Sequence, residues 1–307
     1  MENYDLVILG AGCAGLSAGI CASRAGLSVL TLDVSVPGGQ AATTSDINNY
    51  PGIPDISGPE LIQRMTSQAE AFGAKIRTET IKSAVLAPIS KEITTSSGCI
   101  LSRAVIIATG ASPKKAGFQG EEEFRGRGVG YCATCDGYFF RGRDIFVIGG
   151  GNSAAEEAVF LTRFGKTVTV LVRKDRLRCS RAAAERLLNH PKINVRFNTQ
   201  LLRVDGDTML HEAEILDNAT GKTELFRSDE GFGVFVFVGQ EPNSAPFRGQ
   251  LEPDKYGYLI TDERLHTSIP GVFAAGDVRQ KSLRQIVTAA SDGAIAAAEA
   301  ERFIDAL

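Results

Sequence analysis

Two stretches of this chain repeat each other at an offset of 139 residues, and that repetition limits the fold more than any other feature. "VILGAGCAGLSAGICASRAGLSVLTLD" runs from Val7 to Asp33, and "FVIGGGNSAAEEAVFLTRFGKTVTVLV" from Phe146 to Val172. Gly10, Gly12, Gly26, Val29 and Leu32 of the first align with Gly149, Gly151, Gly165, Val168 and Leu171 of the second. Each copy reads as an apolar strand, a glycine turn, an Ala-rich helix and a second apolar strand, which is a βαβ unit. Glycines at such a turn let the backbone approach a pyrophosphate, and the N-terminus of the following helix stabilises its charge. One glycine fingerprint is a weak signal, whereas two in register, each between a strand and a helix, are a strong one. The 307 residues also suit two domains at about 150 residues each. The expectation is an α/β protein with two Rossmann-like dinucleotide-binding domains.

The ends of the second strands separate the two copies. Asp33 follows "SVLTL", 23 residues after Gly10, where a carboxylate accepts from ribose hydroxyls and repels a 2′-phosphate. The equivalent position in the second copy is Val172, and the chain continues "RKDRLR". Arg173, Lys174 and Arg178 supply positive charge where a 2′-phosphate would sit. The first copy therefore suits FAD or NAD, and the second NADPH. Strand ends at Thr109-Gly110, before Pro113, and after an expected strand from Val234 to Val238, before Pro242 and Pro246, mark the borders. Residues 114–244 read as an inserted NAD(P)H-binding domain with the Cys-x-x-Cys pair. Residues 1–113 and 245–307 read as two parts of one FAD-binding domain, a tolerated arrangement. Near the C-terminus a short strand, Val272 to Ala275, leads to Gly276-Asp277, and a long Ala-rich helix is expected from about Leu283.

A net charge of −3 argues against a general nucleic-acid binder, which carries a basic excess. No apolar run approaches the about 20 residues of a membrane span. The strand pattern begins by Tyr4, which leaves no room for a signal peptide, so a reducing cytoplasmic setting is expected. In such a setting the pair Cys132 and Cys135 of "GYCATCDGYFF" is more often catalytic than structural. A Cys-x-x-Cys spacing lowers one thiol pKa and keeps the partner within disulfide reach. Zinc needs four N or S ligands. Cys99 and Cys179 stand apart, and His190, His211 and His266 form no cluster, so no metal is expected. Cys13 and Cys21 read as buried small apolar residues. Asp136, directly after the pair, is a candidate acid/base, although Asp-Gly is also a turn signal.

The chain resembles the low-molecular-weight thioredoxin reductases of bacterial type over nearly its whole length. The motifs that carry the likeness are "GAGCAGLSA", "PGGQ", "NNYPG", "ATGASP", "CATCDG", "GGGNSAAEEA" and "GVFAAGDVRQKSLRQIVTAASDG". The resemblance implies a homodimeric flavoprotein in which NADPH reduces FAD, FAD reduces the paired cysteines, and the dithiol reduces thioredoxin. It implies that Cys132 attacks the thioredoxin disulfide and that Cys135 lies against the flavin. It gives FAD contacts to Gly10, Gly12, Gly15, Asp33, Gly39, Gln40, Asn49, Asp277, Arg284 and Gln285, with Thr109, Gly110 and Gly276 at the adjoining strand ends. It gives the NADPH site to Gly149, Gly151, Asn152, Ser153, Ala154, Arg173, Lys174 and Arg178. One departure stands out. The family pattern His-Arg-Arg-x-x-x-Arg reads here Val172-Arg173-Lys174-x-x-x-Arg178, and lysine lacks the planar fork of arginine. NADH or reduced ferredoxin as donor, or an oxygen-dependent dithiol oxidase, are the alternatives. Because the nicotinamide site and the cysteine pair share the inserted block, a rotation of one domain on the other is expected to alternate their access to the flavin.

Overall fold

Strands that are apolar on both faces belong in the middle of a parallel sheet, and this chain has two such sets. The computed structural model describes residues 2–43, 47 and 49–307, with the side chains of Thr43, Thr134 and Cys135 outside that description. The first part of the chain forms β1 (Glu2–Leu9), α1 (Cys13–Arg24), β2 (Val29–Asp33), α2 (Gly58–Ala71), β3 (Lys75–Thr78), β4 (Ile81–Leu86), β5 (Lys91–Thr95), β6 (Cys99–Ile107) and β7 (Ala111–Pro113). The middle forms β8 (Val129–Gly130), α3 (Ala133–Asp136), β9 (Asp144–Ile148), α4 (Asn152–Leu161), β10 (Thr167–Val172), α5 (Arg181–Leu188) and β11 (Ile193–Phe197). It continues with β12 (Thr199–Gly206), β13 (Leu210–Asp217), β14 (Thr223–Val236) and β15 (Gln240–Pro242). The chain closes with β16 (Val272–Ala274) and α6 (Ile286–Asp305).

The chain divides into two compact units, residues 1–112 with 241–307, and residues 113–240. Strands β7 and β15, which pair with each other, lie where the chain passes between the units. Each unit holds a seven-stranded sheet, and the two strand orders are the same. The first unit reads β3-β2-β1-β6-β5-β4 with β16 beside β6; the second reads β11-β10-β9-β14-β13-β12 with β8 beside β14. Strands β3, β2, β1 and β6 are parallel, β1 pairing with β6 from Ile100 to Ile107, while β4 and β5 are antiparallel and β5 pairs antiparallel with the start of β6. The second unit repeats this division in β9 to β11 and β12 to β14. The strand expected at Val234 to Val238 is thus the end of a longer one that stops at Val236. The internal repeat spans the whole Rossmann-like unit, not just its βαβ start.

In the first unit, Leu6, Val7, Ile8 and Leu9 of β1 are fully buried, with helices packed on the sheet. Helix α6 starts at Ile286, later than the alanine pattern suggests. Gln285 is its N-cap, and a capping box pairs the Gln285 side chain with the Thr288 backbone and the Thr288 hydroxyl with the Gln285 N–H. Residue 285 is extended there, so the helix cannot begin upstream. Among the described residues, no helix is long and apolar enough to cross a membrane.

Helix α6 lies directly on α1. A Cβ at Gly293 would stand 2.1 Å from the Ala14 carbonyl oxygen and 2.9 Å from the Ala18 nitrogen. Gly293→Ala must therefore push two helices apart, and is expected to cost about 2 kcal/mol. Urea unfolding should show a lower midpoint at unchanged slope, and an unchanged midpoint would refute the contact.

Candidate active site

The first constellation surrounds the N-terminus of α1. Gly10 has φ of 111°, and a Cβ on it would meet the Ala108 carbonyl oxygen at 2.3 Å. Gly12 is the N-cap of α1, with no side-chain cap bond, and a Cβ there would meet nothing within 4 Å. The helix therefore presents its first N–H groups to open space, the arrangement that binds phosphate oxygens. Asp33, at the end of β2, uses Oδ2 to accept from the Ala11 N–H at 2.6 Å and Oδ1 from the Ser35 N–H at 3.1 Å. Its carboxylate thus braces the glycine turn, and it retains lone pairs for a hydroxyl donor.

Distant parts of the sequence close around this helix end. Gln40 donates from Nε2 to the Ala111 carbonyl at 2.6 Å, and Asn49 donates from Nδ2 to Gln285 Oε1 at 3.0 Å. Thr109 and Gly110 are tied down by Asn243, which donates to the Thr109 carbonyl at 2.8 Å and, from its backbone, to that of Gly110 at 3.0 Å. Asp277 is largely buried and its Oδ1 has no hydrogen-bond donor among the described residues. Burial pushes its carboxyl above the ordinary carboxylate range, against the pull of Lys281 and Arg284 and with a further push from Asp292. Arg284 stacks 3.9 Å over the Tyr258 ring, and its buried Nε is likewise without a partner. Buried polar atoms left in this state are rare in folded chains. An open helix N-terminus, a strand-end carboxylate and two orphaned buried groups fit a dinucleotide whose pyrophosphate and hydroxyls would satisfy them.

Two supports of this region were not read from the sequence. Asp292 of α6 is buried and accepts from the Gly276 N–H at 3.0 Å and from Lys281 Nζ at 2.8 Å, with Arg279 at 3.4 Å. It holds the Gly276-Asp277 turn in place. Its signal was an acidic residue on the apolar side of an Ala-rich helix. Asn243 sat among turn residues and gave none.

The second constellation lies at the N-terminus of α4 and is built on the same plan. A Cβ on Gly149 would meet the Phe237 carbonyl oxygen at 2.3 Å, while one on Gly151, the N-cap, would meet nothing within 4 Å. Ala154 is buried, whereas Asn152 and Ser153 in the first turn are exposed. The basic loop after β10 is stitched to this turn twice. Arg178 N donates to the Gly150 carbonyl at 2.6 Å, and Ser180 N to Asn152 Oδ1 at 2.7 Å. The side chains of Arg173, Lys174 and Arg178 are exposed, and among the described residues no carboxylate pairs with them. Three unpaired cations beside a helix N-terminus make a site for a polyanion.

The same unit carries the cysteines. Cys132 is disulfide-bonded and stands at the head of α3, a single turn whose last residue is Asp136. The Cys135 side chain lies outside the described residues, as does Asn48 of the "NNYPG" motif. The Asp136 N–H donates to the Cys132 carbonyl at 3.2 Å. Its carboxyl is half-buried, and this burial raises its pKa above the ordinary value. The seat is tight, since a Cβ at Gly130 would meet Asp136 Oδ2 at 2.9 Å and the Phe235 ring at 3.1 Å. Upstream, the buried Glu121 accepts from the N–H groups of Ala116 and Gly117 at 2.8 and 2.6 Å and from the Tyr131 hydroxyl at 2.8 Å. That clamp fixes the residue before Cys132. In sequence Glu121 belongs to a run of three acids that reads as a solvated surface. Cys13, Cys21, Cys99 and Cys179 are free thiols. Cys13 is buried as expected, while Cys21 is only partly covered, because it sits toward the edge of the α1 packing face.

Comparison with known proteins agrees with this arrangement. The family model described as pyridine nucleotide-disulphide oxidoreductase matches residues 4–293. A thioredoxin reductase of Peptoclostridium litorale is 45% identical, over 100% of this chain and 99% of the relative. That of Bacillus subtilis is 42% identical, over 99% of this chain and 96% of the relative. The crystal structure of Lactococcus lactis thioredoxin reductase superposes with a TM-score of 0.83 at 41% identity, covering 99% of this chain and 100% of that one. The chain belongs to the pyridine nucleotide-disulphide oxidoreductases and, among them, to the thioredoxin reductases, which use a flavin and a pyridine nucleotide to act on the disulfide of thioredoxin.

Proposed function

We propose that the electron donor is NADPH, that the flavin is FAD held by the first unit, and that the acceptor within the chain is a Cys132–Cys135 disulfide. The observation that carries this reading is the disulfide-bonded Cys132 at the head of a turn ending in a half-buried carboxyl. It shares its unit with a glycine turn and three unpaired cations. Gly10, Gly12 and Gly15, with the first N–H groups of α1, would hold the FAD pyrophosphate, and Asp33 the adenosine ribose. Asp277 would receive a cofactor hydroxyl at its free oxygen, with Gly39, Gln40, Asn49, Thr109, Gly110, Gly276, Arg284 and Gln285 lining the rest. Gly149, Gly151, Asn152, Ser153 and Ala154 would hold the NADPH pyrophosphate, and Arg173, Lys174 and Arg178 its 2′-phosphate.

When bound, the flavin supplies two-electron chemistry between a nicotinamide hydride and a disulfide. The rest follows from this chain's residues. Two electrons open the Cys132–Cys135 bond, and Asp136, kept protonated to higher pH by its burial, gives a proton to the departing thiolate. The Cys132 thiolate attacks the thioredoxin disulfide to form a mixed disulfide, and Cys135 displaces it, releasing reduced thioredoxin and re-forming the internal disulfide. NADPH and one proton are consumed for each disulfide reduced. The pair must cycle through its reduced form, which suits a cytoplasmic setting. We further assign a homodimer as the working form.

Three measurements test these assignments. Cys135→Ser should leave a folded yellow protein whose flavin is still reduced by NADPH, with thioredoxin reduction lost; retained turnover would dismiss the pair. Lys174→Ala combined with Arg178→Ala should raise KM for NADPH by about tenfold or more while leaving NADH little changed. Equal effects on both donors, or better turnover with NADH or reduced ferredoxin in the native enzyme, would overturn the donor. The third concerns Asp277 in the flavin-free chain. A carboxyl whose folded pKa is raised binds its proton more tightly when folded, so its stabilising contribution is complete below the unfolded value and fades as pH rises through the folded one. The native flavin-free chain should therefore lose thermal stability relative to Asp277→Asn on going from pH 4 to pH 7. Parallel melting curves across that range would show that the buried carboxyl is compensated.

A further inference from the structure

The basic loop after β10 is fixed at its far end by the glycine turn, through Arg178 and Ser180. Its near end, Arg173-Lys174, has left the sheet: the register of β10 with β11 stops at Val172 and Phe197. Here the backbone is held by two asparagines from other loops. Asn198, the single turn residue between β11 and β12, donates its N–H to the Lys174 carbonyl at 3.0 Å. Its own carbonyl accepts from the Asn218 N–H at 2.6 Å, and Asn218 Nδ2 reaches the Arg173 carbonyl at 3.4 Å. Asn218 opens the turn between β13 and β14, so three loops are laced together at one end of the sheet. Asn198 has φ of 51°, one of two positive values at non-glycine residues among those described. Asparagine tolerates that conformation, whereas a β-branched residue does not.

We propose that Asn198 is a positioning residue for 2′-phosphate recognition, acting through the Lys174 carbonyl on the placement of Arg173 and Lys174. The inference rests on the NADPH reading above. Its physical basis is preorganisation. An exposed lysine is a point charge on a flexible stem, without the fork that lets arginine grip two oxygens. Its attraction for a phosphate then depends on where the backbone starts the stem, and a loosened loop loses binding through added ordering entropy. The left-handed turn at Asn198 sets that starting point, since in this conformation one residue gives its N–H to the Lys174 carbonyl and its own carbonyl to the Asn218 N–H. The side chain of Asn198 is not needed for either bond, so glycine should replace it and valine should not.

The test is calorimetric titration of the flavoprotein with 2′,5′-ADP and with 5′-AMP, for the native chain, Asn198→Val, Asn198→Gly and Arg178→Ala. Asn198→Val should weaken 2′,5′-ADP by about tenfold, the loss of one well-placed charge contact, and leave 5′-AMP within about twofold. Asn198→Gly should stay within about twofold of native for both ligands, because glycine enters the left-handed region freely. The proposal is overturned if Asn198→Val weakens both ligands alike or neither, or if Asn198→Gly is as damaging as Asn198→Val. Arg178→Ala separates the two levels of inference. If it weakens 2′,5′-ADP selectively while Asn198→Val does not, the positioning role alone fails. If it weakens both ligands equally, the 2′-phosphate reading fails, and the positioning role with it.

Discussion

In each unit a carbonyl oxygen stands where the side chain of a turn residue would have to go. Ala108 O lies 2.3 Å from a Cβ built on Gly10, and Phe237 O lies 2.3 Å from one built on Gly149. Both carbonyls are at the ends of strands that leave the sheet beside the turn, β6 and β14. Each glycine also donates to the neighbouring strand end, Gly10 N to Leu32 O at 2.7 Å and Gly149 N to Leu171 O at 3.2 Å. Three strand ends therefore converge on a residue that can carry no side chain. The next helix must start there, its N–H groups aimed into the space beyond, and the electrostatics of both candidate sites follow from that packing.

The two units use this common frame differently. In the first, the polar groups left over are buried: Asp277 Oδ1 and Arg284 Nε have no partner among the described residues. Each such group costs about 1–3 kcal/mol in the free chain, a cost that a bound ligand removes. In the second, the groups left over are the exposed cations of the basic loop, which water solvates at little cost. A site that is destabilised when empty holds its ligand firmly, and a site that is comfortable when empty lets it exchange. That contrast supports the proposed assignment of a resident flavin to the first unit and of an exchanging nucleotide to the second.

What the sequence disclosed follows the same physics. The glycine turns were legible because backbone clashes at Gly10 and Gly149 leave no room for a side chain, and because the pattern occurs twice. The apolar runs of β1 and β9 were legible because burial on both faces leaves no polar alternation. The antiparallel strands β4 to β6 and β12 to β14 share one topology but no visible sequence likeness. Each has a half-exposed face, whose composition water hardly constrains. The start of α6 was misjudged because alanine content marks where a helix can continue, while the Gln285–Thr288 capping box decides where it begins. Glu121, Asn243 and Asp292 escaped notice because a buried carboxylate or amide is recognised by the donors that surround it, and those donors are backbone groups brought in from other elements.

The three cysteines of the first unit are kept unreactive by their surroundings. A thiol reacts as its thiolate, so any group whose pKa is raised is a poor nucleophile at neutral pH. Burial pushes Cys13 up to about 12, with the neighbouring charge of Asp277 adding to the effect. The Asp277 carboxylate, proposed above as a cofactor contact, thus also helps keep the Cys13 thiol protonated. Burial raises Cys21 as well, against the opposing charge of Arg24, and burial together with Glu92 raises Cys99. All three lie in the first unit. The pair at 132 and 135 stands in the other unit, at and just before the short helical turn Ala133–Asp136, where the proposed exchange would find both sulfurs two residues apart. Within the first unit, burial and neighbouring charge thereby leave Cys13, Cys21 and Cys99 poor nucleophiles at neutral pH.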